Sequence, residues 1–238
     1  MTSVCPLPLE VYHQVSQAGS FASRAGRGTM SVVRELDDGR VEKSDRRDEL
    51  ALMAREFIIT EHLRDTGVVP LIDVDEGLYG YPLSFQMEKI NNGGTLQDWL
   101  EFHSHSPIPR AVWADIFQGV SDGRIRAVWA AGVLQGDLHV RNVVIGTDSS
   151  GRRLKPHIID FGVAILDEEP FESLAHGLGM PDAVAESQQW FERQIRPRYD
   201  DPSDEKAFLI ADIQDWINTL NIQDLDGLLG DFLRGLRT

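Results

Sequence analysis

Short β-like runs open the chain, at Tyr12 to Gln17, Met30 to Leu36 and Arg40 to Ser44, and their residue types predict strands. Asp37-Asp38-Gly39 joins the latter two with hairpin turn chemistry, and a glycine-rich stretch from Gly19 to Gly28 connects the first two, which together predict an antiparallel meander. From Arg46 to Leu63 the apolar residues Leu50, Met53, Phe57 and Leu63 recur at helical spacing before Gly67, so one amphipathic helix is expected there. Val68 to Val74 and Leu83 to Met87 predict two more strands. Asn91-Asn92-Gly93-Gly94 then breaks regular structure before a short helix from Thr95. A long helix after Pro109 carries Val112, Ile116, Val120 and Val128. Short β-like pieces follow at Val133-Leu134, Val143 to Ile145 and His157 to Ile159, and the pattern from Pro170 onward is mostly helical. No repeat, low-complexity tract or Pro/Gly/Ser linker divides the chain, so residues 1–238 are expected to form one unit.

Composition narrows the function classes. With 238 residues, 42% of them hydrophobic, the chain can bury a core without metals or disulfides. The single cysteine, Cys5, offers no internal disulfide and no thiolate metal cluster. No apolar run is long enough to span a bilayer and no basic-then-apolar leader opens the sequence, which predicts a soluble, cytoplasmic protein; export into a host by a route without a cleavable signal stays compatible with it. A net charge of -15 argues against nucleic acid or an anionic membrane as partner, because a phosphate surface is attracted by clustered lysine and arginine.

The chemistry concentrates in Gln135-Gly136-Asp137-Leu138-His139-Val140-Arg141-Asn142, followed by a strand and then Ile158-Ile159-Asp160-Phe161-Gly162. An aspartate, an asparagine five residues on, and an Asp-Phe-Gly after a second strand are a specific combination. Here the chain resembles the protein-kinase-like superfamily, over about Tyr12 to Gly162. The resemblance implies an α+β, two-lobed protein-kinase-like fold: a small antiparallel sheet plus one helix in an N-lobe of about residues 10–90, a hinge at about 88–94, and a mainly helical, reduced C-lobe. It further implies an ATP- and Mg²⁺-dependent phosphotransferase acting on a protein or small-molecule hydroxyl. Phosphoryl transfer is mainly positioning and charge neutralisation, which is why carboxylates, an amide and a lysine recur together.

By the same resemblance Asp137 is the catalytic base and Asn142 and Asp160 hold the metal. Lys43, the only lysine before Lys89, is the sole candidate for the lysine that contacts the α- and β-phosphates. Glu56 is the best match for its helix partner, with Glu49 and Glu61 as rivals. An ordinary solvated lysine and an i,i+4 surface carboxylate are the plain alternatives for these two. Backbone groups of Glu88 and Ile90 would meet the adenine, with Val144 beneath it, and Gly26 and Gly28 would belong to the phosphate loop.

Several positions depart from the family pattern. The glycine spacing is irregular and the loop carries Arg24 and Arg27. The catalytic loop reads Gln-Gly-Asp, with His139 where serine/threonine kinases carry lysine. Glycine before the base and Asp-Leu-His around it look more like aminoglycoside phosphotransferases. Without an arginine before Asp137, activity is expected to need no phosphorylation. No Ala-Pro-Glu motif occurs in residues 163–238. An atypical minimal Ser/Thr protein kinase, a small-molecule kinase, a pseudokinase serving as an interaction module, and transfer of another part of ATP all stay open. A late stripe of Leu209, Ile213, Trp216, Ile217, Leu225, Leu228, Leu229 and Phe232 is either core or a partner-binding helix face.

Overall fold

The computed structural model describes residues 31–36, 40–45, 50–66, 71–75, 84–90, 92–147, 153–177, 179, 182–199 and 202–234. The strand expected at Tyr12 to Gln17, Gly26 and Gly28 with Arg24 and Arg27, the Asp37–Gly39 turn and Glu49 lie outside them.

Within these residues the protein is a mixed α+β structure. Four strands, β1 (Ser31–Glu35), β2 (Arg40–Asp45), β3 (Leu71–Asp75) and β4 (Ser84–Glu88), form an antiparallel sheet in the order β1-β2-β4-β3. Helix α1 (Leu50–His62) lies between β2 and β3 in sequence. The expected amphipathic helix is corrected here: every side chain from Met53 to Thr60 is buried, so the middle of α1 is enclosed on all sides. It packs against β2 and against α5 (Glu168–Gly177) and α6 (Asp182–Ile195), and a helix covered on more than one side has no wet face to pattern.

The break expected at Asn91–Gly94 is also corrected. Asn92–Thr95 forms β5, paired with β7 (Val143–Thr147), which pairs in turn with β8 (Leu154–Ile158). The ladder supplies the backbone partners that poor strand formers do not seek on their own. Gly94, at φ +107°, turns the chain out of β5. Thr95 then caps α2 (Leu96–His105) through a reciprocal capping box with Asp98.

The long helix after Pro109 is α3 (Arg110–Val120) and α4 (Arg126–Ala130), joined by a π-helical turn at Ser121–Ile125. The extra residue shifts the apolar phase: Val120 and Ile125 are both buried although five apart. Arg124 donates from Nε to the Pro156 carbonyl at 2.7 Å and so ties this turn to β8. A two-stranded ribbon of β6 (Val133–Leu134) and β9 (Ile165–Leu166) follows the helix.

Helices α7 (Pro202–Leu220) and α8 (Asp226–Arg234) follow. The hydrophobic core runs from Met53 on α1 to Leu229 on α8. Leu209, Ile213, Ile217, Leu225, Leu228 and Leu229 belong to it, and Trp216 packs on it, so the late apolar stripe is used in packing rather than left as an open face. Among the described residues no helix is long and apolar enough to cross a membrane.

Candidate functional site

Lys43 sits in β2, opposite Val33 on one side and Phe85 on the other, and only 5% of it is exposed. Its Nζ donates to Glu56 Oε1 at 2.5 Å and to Asp160 Oδ1 at 2.9 Å. Strand, helix and a loop 117 residues away in sequence therefore meet at one ammonium. Glu56 is buried, which removes the surface-carboxylate reading, while the rival Glu61 bonds Arg64 at 2.6 Å.

Burial raises the Glu56 carboxyl above its ordinary value of 4.5, although the Lys43 ammonium pulls the other way. For Lys43 burial would lower the ammonium, but the carboxylates of Glu56 and Asp160 outweigh it and hold it above 10.5. Asp160 would be pushed up by burial, yet Lys43 draws it below 3.8. At neutral pH Lys43 is thus an ammonium and Asp160 a carboxylate. Asp160 also has φ +60°, a left-handed conformation that few non-glycine residues adopt. Strain of that kind persists only where surrounding contacts enforce it, and here Gln135 Nε2 holds the Asp160 carbonyl at 2.9 Å.

The backbone of the loop before β7 is held by side chains of the loop itself and of α7. Gly136 takes φ +79°, and a Cβ there would stand 3.1 Å from Ile195 Cγ2 and 3.2 Å from the Val163 carbonyl oxygen. The Gly136 N–H donates to Glu205 Oε1 at 2.7 Å, and Trp129 Nε1 donates to Glu205 Oε2 at 2.7 Å. The Asp137 N–H donates to Gln135 Oε1 at 2.7 Å, and the Val140 N–H to Asp212 Oδ2 at 2.8 Å. Asn142 Nδ2 donates to the Asp137 carbonyl at 2.9 Å, and the Ile159 N–H to the Asn142 carbonyl at 3.0 Å. These bonds hold the main chain of Asp137 while its side chain remains 58% exposed.

His139 Nε2 lies 3.6 Å from Asp137 Oδ2. Its Nδ1 accepts the Arg141 N–H at 3.2 Å, which sets the neutral tautomer with the proton on Nε2, facing Asp137. Hydrogen bonding to Asp137 raises the imidazole above 6.5.

A metal can be tested against this donor set. Among the described residues no group of three or more His, Cys, Asp or Glu side chains could hold an ion. Mg²⁺ takes oxygen donors, one or two of them from protein, with water or phosphate oxygens for the rest. With its amide nitrogen engaged on Asp137, Asn142 has Oδ1 as the oxygen to offer, alongside the Asp160 carboxylate.

Glu88 ends β4 with its side chain exposed, Ile90 follows it half-buried, and Val144 is buried in β7 opposite Thr95 and His157 yet belongs to neither hydrophobic cluster.

Sequence reasoning missed Arg55, Gln135, Glu205 and Asp212, each of which holds backbone at this site. Glu205 did leave a signal: it stands four residues before Leu209 on the apolar stripe of α7, where a carboxylate needs buried donors. Burial raises its carboxyl above 4.5, and the N–H groups of Gly136 and Trp129 oppose that. No protein-family model matches the chain, and no curated protein matches it.

Proposed function

We propose that the protein is an ATP- and Mg²⁺-dependent phosphotransferase with a two-lobed, protein-kinase-like arrangement, acting as an atypical minimal Ser/Thr protein kinase. The observation that carries this reading is the Lys43 ammonium bridging Glu56 and Asp160, next to a loop that presents Asp137 and Asn142. Lys43 would meet the α- and β-phosphates, and its bond to Glu56 keeps it extended from β2 toward them. Glu88, Ile90 and Val144 would border the adenine. Asn142 and Asp160 would hold Mg²⁺, which when bound neutralises charge on the phosphates. Asp137 would orient the acceptor hydroxyl and take its proton as the acceptor oxygen bonds the γ-phosphorus and the bond to the β-phosphate oxygen breaks, leaving ADP.

A small-molecule acceptor is favoured by one observation: after β9 the chain passes into α5 and α6, which pack on α1, rather than into an extended platform for a peptide. Purified protein incubated with Mg²⁺, γ-labelled ATP and a cell extract, beside Asp137→Ala, separates the two. Label on a protein, lost in the variant, supports the protein kinase; label on small molecules alone, lost in the variant, supports the other acceptor. No label above the variant in either fraction, together with no Mg²⁺-dependent ATP binding, would refute phosphotransfer.

A further inference from the structure

Arg55 precedes Glu56 on α1 and is fully buried. Its Nη1 donates to the Gly162 carbonyl at 2.7 Å and its Nε to Gln188 Oε1 on α6 at 3.0 Å. The guanidinium carbon lies 4.4 Å from the centre of the Phe191 ring, also on α6. Gln188 Nε2 donates in turn to the Leu166 carbonyl in β9 at 2.6 Å. One planar cation thus closes a circuit through α1, the Asp160-Phe161-Gly162 loop, β9 and α6.

We infer that Arg55 is a positioning residue whose guanidinium locks the helix bearing Glu56 to the loop bearing Asp160, so that Lys43, Glu56 and Asp160 stay assembled without phosphorylation of the chain. This rests on the phosphotransferase reading above. In that chemistry the lysine–glutamate pair and the metal-holding aspartate must be in place together, and added phosphate is one way to bring this about. Here a built-in charge does the same work on backbone and amide oxygens. Only a rigid fork donating in two directions while stacking on an aromatic face spans these partners, and a lysine offers no such geometry. Arg55 Nη2 is buried without a hydrogen-bond partner among the described residues. An orphaned donor in the core is unfavourable, so packing alone gives little reason to keep arginine here.

The test compares Arg55→Met, Arg55→Lys and Gln188→Leu with the unmodified protein, each first checked for a cooperative urea transition. Turnover is measured against ATP and Mg²⁺ concentration, and amide hydrogen exchange is followed over residues 50–62 and 160–166. Arg55→Met is expected to lower kcat about 100-fold, the scale of a displacement of about 1 Å at a reacting centre. KM for ATP should stay within about threefold, because Lys43 and the adenine border remain. Arg55→Lys should recover less than about a tenth of the loss, and Gln188→Leu should show a smaller fall in kcat. Exchange should rise in both segments. If Arg55→Met keeps kcat within threefold, or if exchange rises in neither segment, the inference is overturned. Should Arg55→Met fail to fold, Gln188→Leu carries the decision by the same two readouts. If the unmodified protein neither turns over nor binds Mg²⁺ and ATP, the phosphotransferase reading fails instead, while the exchange measurement still decides whether Arg55 joins helix to loop.

Discussion

Replacing Lys43 by methionine removes the ammonium and leaves the buried Glu56 carboxyl group facing Asp160, with no other cation bonded to either among the described residues. Removing one partner of a buried ion pair costs about 3–5 kcal/mol, because the other charge stays desolvated. Glu56 can relieve part of that by binding a proton, and each pH unit of relief is worth about 1.4 kcal/mol. The sign is fixed by its shift. Its folded value already lies above 4.5, and loss of Lys43 raises it further, so the protonated, stable form is complete below 4.5 and lost as pH rises through the folded value. The penalty of Lys43→Met should therefore be largest at pH 8 and smaller at pH 5. Replacing both residues, Lys43→Met with Glu56→Leu, turns the pair into apolar packing and should restore stability to within about 1–2 kcal/mol of the parent. That double variant should still be inactive. Urea unfolding of the parent, Lys43→Met, Glu56→Leu and the double variant at both pH values gives the cycle directly. A single-variant penalty under about 1 kcal/mol, or a double variant as unstable as the single, would refute the claim that this pair is buried and coupled.

Three further outcomes follow from particular contacts. His103 Nδ1 accepts both the Ile108 N–H at 2.8 Å and Trp113 Nε1 at 3.1 Å, so His103→Leu orphans two buried donors at about 1–3 kcal/mol each; a urea midpoint shift equivalent to less than about 1 kcal/mol would show that neither bond matters. Gly136→Ala forces a Cβ to 3.1 Å from Ile195 Cγ2 at φ +79° and should cost at least about 1–2 kcal/mol in thermal or urea unfolding, since left-handed backbone is strained for any L side chain; equal stability would mean the loop can relax. His139 should titrate above 6.5 in an NMR pH series and fall in Asp137→Asn, its contribution to stability being present below 6.5 and lost as pH rises through the folded value; a midpoint at or below 6.5 in the unmodified protein would remove Asp137 as the cause.

Part of this arrangement was legible in the sequence because it is local. Within the run from Gln135 to Asn142, Asn142 reaches the Asp137 carbonyl and Gln135 reaches the Asp137 N–H, whereas Gly136, Val140 and Gly162 are held by Glu205, Asp212 and Arg55, far away in sequence. Lys43 and Glu56 were named through the family resemblance, Glu56 ahead of Glu49 and Glu61, and the structure brings both together with Asp160. What periodicity could not give was enclosure. A hydrophobic pattern reports whether one face of a helix is wet, and α1 has none between Met53 and Thr60, so Arg55 reads as a surface residue until α5 and α6 are in place. The π turn at Ser121–Ile125 and the strand at Asn92–Thr95 were hidden for a related reason: both are set by what packs beside them, Pro156 and β7, rather than by their own propensities.

The burial of charge along α1 is the feature that folding alone explains least. Arg55 and Glu56 are adjacent, both buried, and Lys43 is buried against the second. Taking such groups out of water costs several kcal/mol per ion, and apolar residues of similar volume would serve the core at least as well. Burial brings the Arg55 guanidinium down to about 9, which leaves it charged at neutral pH, held between two carbonyl oxygens and an aromatic face. Stability alone gives little reason to bury Lys43 against Glu56 and Asp160 and to set Arg55 on the Gly162 carbonyl beside them. On the proposed phosphotransferase reading, this geometry would hold a cation and a carboxylate in fixed relation to each other before any ligand arrives, so that the cost of ordering them would not fall on the reaction.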